Sequence, residues 1–242
     1  SPNLSKQDLA DETCNFIEQH KKEGKTAFET CYSLLLGRKA NNVETKILER
    51  MGIIQTHHGS AASNMIARYM STLHAVTISD FFSAAQMILD GKRHFGAIHD
   101  MTAFIKELEK IPEVDQVQII KGKVMTGGLP TFGHPEISAA GRGNQIQQDP
   151  RAAIYLSPFF EAIDQKSLRL SAKQLERLKI VQRIYQIAFI EGLTKPDQED
   201  RPPLRLTPNT DFGAWCVQEG LGIDDPDRTL LTYIFRGFGW IM

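Results

Sequence analysis

The sequence predicts an all-α fold, on three observations. Apolar residues recur at three- and four-residue intervals through most of the chain, strand-type alternation is scarce, and glycines stand where the helical segments stop. Residues 5–21 carry Leu9, Cys14, Phe16 and Ile17 among charges, and Gly24 ends them. Residues 27–36 form a second apolar segment closed by Gly37, and 43–54 follow with Val43, Ile47, Leu48 and Met51 at helical spacing. The segments 61–74 and 79–90 are apolar and rich in small residues, the composition of closely packed helices. Further helices are expected at 98–109, 151–164, 171–192, 213–221 and 228–241. Val117 to Val124 is the one strand-like stretch, read as a strand, a hairpin or a short helix. No repeat or low-complexity tract interrupts the pattern.

Two irregular segments stand out. Residues 122–150 hold Gly122, Gly127, Gly128, Gly133, Gly141 and Gly143 and are far longer than an ordinary connector. Loops of that length within a compact domain are usually functional or mobile. Lys195 to Pro208 is the second, and it runs directly into Asp211.

Bulk properties narrow the class. With 242 residues and 41% hydrophobic content, the chain can bury a substantial core in one large or one-and-a-half domains. A net charge of −1 offers no field to recruit nucleic acid or an anionic membrane. Cys14, Cys31 and Cys216 have neither disulfide-framework nor zinc spacing, which suits a reducing compartment. The first residues lack an apolar signal core and no apolar run matches a membrane span. A cytoplasmic protein is the expectation.

Chemistry concentrates in three motifs: Leu-Pro-Thr-Phe-Gly-His-Pro (129–135), Gln-Asp-Pro-Arg-Ala (148–152) and Pro-Asn-Thr-Asp-Phe (208–212). They present an imidazole (His134), a guanidinium (Arg151) and a carboxylate (Asp211) on Pro- or Gly-marked turns. Those are the groups needed to bind an oxoacid and move a proton. Two more histidines precede them, in His57-His58-Gly59-Ser60 and Lys92-Arg93-His94-Phe95-Gly96-Ala97. Taken singly, His58 and His94 read as caps or surface groups at helix ends. Gly91-Lys92-Arg93 lacks the spaced glycines of a phosphate loop. Adjacent histidines do not face one another on a helix, so no metal is expected.

Order changes that reading. Cys31-Tyr32-Ser33-Leu34-Leu35-Leu36-Gly37-Arg38, His58-Gly59-Ser60, Gly91 to Ala97, the His134 motif, Asp149-Pro150-Arg151, Asn209-Thr210-Asp211-Phe212 and Phe235-Arg236-Gly237-Phe238-Gly239-Trp240-Ile241 resemble, in register, the citrate synthase superfamily. Only Lys39 to Thr56 separates the tyrosine–leucine–glycine segment from the first histidine motif. That compact form, with the His-Gly-Ser-Ala-Ala-Ser wording of 58–63, resembles citryl-CoA lyase and the C-terminal module of ATP-citrate lyase. His94, in contrast, stands where the synthases carry their histidine.

The resemblance implies a citrate synthase-like helical fold with a large core (1–110 and 201–242) and a smaller lobe (111–200) containing the 122–150 active-site loop. It implies carbon–carbon bond formation or cleavage between acetyl-CoA, or another acyl-CoA, and oxaloacetate or a citrate-like acid. Asp211 would move the methyl proton, His94 would stabilise the enol or enolate, and His134 would polarise the keto oxygen. His58 and Arg151 would hold the oxoacid carboxylates. Pro135 and Glu136 stand where a basic residue is common in the family, leaving Arg142 as the candidate contact to coenzyme A. The thioester is a substrate, with no tightly bound cofactor and no metal implied. A two-fold homodimer packed through 61–74 and 79–90 is expected. Two alternatives stay open: a dedicated citryl-CoA lyase, and a catalytically silent family member serving as a binding subunit.

Overall fold

A computed structural model describes residues 6–56, 95–133, 149–191, 194–195 and 204–241, with isolated positions between 77 and 87. The described residues are overwhelmingly helical: α1 Lys6–Lys22, α2 Ala27–Leu36, α3 Asn42–Thr56, α4 Phe95–Leu108, α5 Glu113–Thr126, α6 Pro150–Asp164, α7 Ala172–Tyr185, α8 Thr210–Gly220 and α9 Asp225–Ile241. A π-turn, Gln186–Ile190, continues α7, and β1 (Thr194–Lys195) pairs antiparallel with β2 (Leu204–Arg205). The expected helices at 61–74 and 79–90 lie largely outside the described residues.

Local chemistry fixes the helix ends. Thr26 and Ser171 each close a capping box, with Glu29 and Gln174 respectively, and Gly37 ends α2 in the left-handed conformation. Asp149 and Asn209 cap α6 and α8. Glu44, fully buried, accepts from Arg38 and Arg169 and so ties the start of α3 to the turn before α7.

The structure decides the stretch left open by the sequence reading, in favour of the helix, and moves several expected boundaries. Val117 to Val124 is neither strand nor hairpin, because Gln116, Ile120 and Val124 are buried four residues apart on one face of α5. Burial of that face outweighs the β-preference of its branched residues. The same helix carries Gly122 and reaches Thr126, so the irregular segment begins at Gly127, whose left-handed backbone ends α5. The helix expected over 171–192 is α-helical only to Tyr185.

At the centre stands α8, whose residues from Phe212 to Gly220 are all buried. It packs on α6, α7, α4 and α3, while α9 lies against α3 and α2. Two glycines set the α6–α8 approach. A Cβ on Gly213 would lie 2.6 Å from the Tyr155 ring, and one on Gly220 would lie 2.2 Å from Phe159. These glycines are two helical turns apart and the rings one turn apart, so each ring fills a notch in α8. Burying two aromatic side chains contributes roughly 1.5–3 kcal/mol apiece. No described helix is long and apolar enough to cross a membrane.

Candidate active site

The first turn of α8 organises the site. Asn209, its cap, accepts the backbone N–H groups of Asp211 (2.9 Å) and Phe212 (3.2 Å). Its Nδ2 donates to the carbonyl of Gly133 at 3.2 Å, and its backbone N–H donates to the carbonyl of Thr131 at 3.1 Å. The Gly133 N–H donates to Thr207 at 2.7 Å, and Phe132 bridges to Pro208. The histidine motif, as far as Gly133, therefore lies along the segment that delivers Asp211. Thr131 reaches this path at φ 62, which a β-branched residue adopts only under compulsion from its surroundings. The Phe132 and Phe212 rings, 4.8 Å apart edge to face, close it underneath.

A second motif joins at the N-terminus of α6. Asp149 accepts the backbone N–H of Arg151 (3.0 Å), Arg151 Nε (3.0 Å) and Nη2 (2.9 Å), and the hydroxyl of Thr210 (3.0 Å). One buried carboxylate thus joins the guanidinium to the residue immediately before Asp211. Burial opposes the charge on Asp149, but its hydrogen bonds to Arg151 and Thr210 win and hold the carboxyl below its ordinary range. Burial opposes the Arg151 charge as well, and Asp149 raises it overall.

Asp211 behaves differently. It occupies a helix N-terminus, where the backbone dipole favours a carboxylate. Burial nevertheless pushes its carboxyl up to about 7; Arg151 pulls the value down and Asp149 pushes it further up. A carboxylate of that proton affinity is poised to take a proton at neutral pH.

Of the residues expected from sequence, the structure brings Arg151 and Asp211 together. His58, His94, His134 and Arg142 lie outside the described residues. Residues close to the three histidines are placed: Gly133 on the Asp211 segment, Phe95 at the start of α4, which packs on α8, and Thr56 at the end of α3.

Three buried groups add to the candidates. Among the described residues, the Tyr155 hydroxyl, Gln55 Oε1, and Arg236 Nε and Nη1 have no hydrogen-bond partner. Gln55 lies beside the Tyr155 hydroxyl without completing a bond to it, and burial raises the phenol's proton affinity. Arg236 is 3% exposed, and burial lowers its proton affinity to about 9. It follows Phe235, whose carbonyl accepts from the Thr56 hydroxyl at 3.2 Å, next to Gln55. A buried guanidinium without an anion calls for one. The signal in the sequence was a lone arginine within the otherwise uncharged run from Thr229 to Met242.

The model of the family "Citrate synthase, C-terminal domain" matches residues 10–242. No curated protein matches the chain. Among solved structures, citryl-CoA lyase from Hydrogenobacter thermophilus superposes with a TM-score of 0.62 at 18% identity, covering 89% of this chain and 73% of that one. Citrate synthase from Thermoplasma acidophilum, solved as a ternary complex with carboxymethyl coenzyme A and oxaloacetate, gives 0.64 at 21%, covering 89% and 51%. Citrate synthase from Thermotoga maritima gives 0.62 at 18%, covering 91% and 56%. The chain therefore spans about half the length of the two synthases, and these likenesses establish the fold.

Proposed function

The chain belongs to the citrate synthase family, and on that premise we propose that it makes or cleaves the carbon–carbon bond between acetyl-CoA and oxaloacetate through an enol intermediate. One observation carries the proposal: the Asp211 carboxyl, lifted to about 7, stands at the capped start of α8 beside the Asp149–Arg151 pair. An ordinary carboxylate is too weak a base for a methyl group next to a thioester. One with its affinity near the working pH comes closer, and a positioned base accelerates such transfers by roughly a hundred- to ten-thousand-fold.

In this reading Asp211 takes the methyl proton, and His94 donates to the thioester oxygen as it becomes an enolate. The enol carbon then attacks the keto carbon of oxaloacetate while His134 donates to the keto oxygen. Cleavage runs the same steps backwards, with Asp211 returning the proton. Each donor aimed at a developing oxyanion is worth roughly 3–4 kcal/mol. Arg151 and His58 hold one end of the oxoacid. Arg236, a buried cation with no anion among the described residues, suits its second carboxylate. Arg142 is the proposed contact to coenzyme A, and 61–74 and 79–90 the proposed two-fold interface; a monomer at micromolar concentration in sedimentation would reject the latter.

A lyase-only enzyme is the second reading, favoured by the short interval from Lys39 to Thr56 before the first histidine motif and by the His-Gly-Ser-Ala-Ala-Ser wording of 58–63. One pair of assays decides. Protein given acetyl-CoA and oxaloacetate releases thiol and citrate if it is a synthase. Protein given citryl-CoA yields acetyl-CoA and oxaloacetate if it is a lyase. Turnover in neither assay rejects both readings and leaves the silent binding subunit.

A further inference from the structure

Asp149 has four hydrogen-bond donors on one buried carboxylate, which is more than a helix cap requires. Its placement matters because Arg151 is a full positive charge beside the proposed base. An unneutralised guanidinium next to a carboxylate makes that carboxylate a weaker base. Asp149 grips the guanidinium along Nε and Nη2 and anchors the first turn of α8 through Thr210.

We propose that Asp149 is a positioning residue that neutralises Arg151 beside Asp211, so that one site holds a cation for the oxoacid and a strong carboxylate base together. The inference rests on Asp211 being the base of the proposed reaction. Without Asp149, the charge that recruits the substrate would weaken the group that deprotonates its partner. With it, the Arg151 charge is offset by a paired carboxylate before an oxoacid arrives. That arrival adds negative charge beside Asp211 and strengthens the base at the moment it is needed.

The other groups around α8 fit this account. From α6, Asp149, Arg151 and Tyr155 are the charged and titratable groups that act on or with Asp211. Arg177 of α7 and Arg228 of α9 engage Glu219 at the opposite end of α8. Among the described residues, the side-chain hydrogen bond from α8 to α4 is a neutral one, from Trp215 to Thr102 (2.9 Å), and α3 places the neutral Gln55 beside Tyr155 of α6.

The test is a carboxyl-carbon NMR titration of Asp211 with 13C-labelled aspartate, the signal assigned by its loss in Asp211→Asn. The intact chain should titrate near 7. Asp149→Asn keeps a helix-capping acceptor but loses the charge, and should lower the midpoint by roughly one unit or more. Arg151→Gln should raise it, and the double variant should return towards the parent value. An unmoved or raised midpoint in Asp149→Asn, or a lowered one in Arg151→Gln, overturns the proposal. If Asp149→Asn fails to fold, Arg151→Gln decides. Exchange of acetyl-CoA methyl protons in the parent is measured alongside: its absence defeats the catalytic reading, while the midpoints judge the role of Asp149 independently.

Discussion

Asp211→Asn separates the cost of the proposed base from its use. In the folded chain the carboxyl titrates near 7 rather than at the ordinary 3.8, because burial disfavours its charge. That rise of about three units, at about 1.4 kcal/mol per unit, means about 4 kcal/mol of differential free energy. The residue is half-buried, and screening by water reduces the figure to about 2 kcal/mol. A raised carboxyl favours the folded state's protonated form, so its full stability is present below pH 3.8. That stability is lost as pH climbs towards 7, and above 7 the whole cost is borne. Asparagine keeps the shape and never ionises. Asp211→Asn should therefore melt roughly 4–8 °C higher than the parent at pH 8 and within about 1 °C of it at pH 4. Paired thermal melts by circular dichroism at the two pH values read this directly. A variant less stable than the parent at pH 8, or equally shifted at both pH values, would refute the claim that the Asp211 charge is desolvated.

Arg151→Ala should raise the oxoacid dissociation constant by about ten- to a hundred-fold in calorimetry, since it leaves a carboxylate without its guanidinium; unchanged affinity would remove Arg151 from the site. Arg236→Met replaces a buried charge that has no partner among the described residues with an apolar chain of similar length. It should stabilise the unliganded protein by roughly 1–3 kcal/mol in urea unfolding while weakening oxaloacetate binding, and a loss of stability would point to a structural partner. Gly213→Ala forces a methyl to within 2.6 Å of the Tyr155 ring and should cost roughly 1–3 kcal/mol in the same unfolding experiment. A neutral effect would mean that α6 and α8 are not in such close contact.

The fold was legible because helical spacing is a local property. Ile47, Leu48 and Met51 declare a buried face without knowledge of what covers it. The stretch 117–124 was ambiguous because its β-branched residues suit both states, and only the packing of Ile120 and Val124 decides between them. Residue spacing begins α8 at 213, three residues late, since Thr210, Asp211 and Phe212 have no helical period of their own. Asn209 supplies the start through its side-chain bonds. The π-turn at 186–190 had no signal in residue spacing.

Arg151 and Asp211 were legible as motifs because their chemistry is unusual on turns. What could not be read was their electrical relation. In the sequence Asp149 is only the neighbour of Pro150 and Arg151, and the fold alone brings Thr210 to it from 61 positions away. The burial of Arg236 is not local either: an arginine in a helix is usually solvated, and the packing of α9 on α3 is what buries this one.

The central claim, that Asp211 moves a proton on carbon, is tested most directly by exchange. Acetyl-CoA is incubated in deuterated water with the intact chain, with and without oxaloacetate or a non-reacting analogue of it, and methyl deuteration is followed by NMR or mass spectrometry. The account predicts exchange by the parent, faster with the oxoacid site filled, and none above the uncatalysed rate with Asp211→Asn, whose oxoacid affinity should stay near the parent's. Exchange by Asp211→Asn at the parent rate would contradict it.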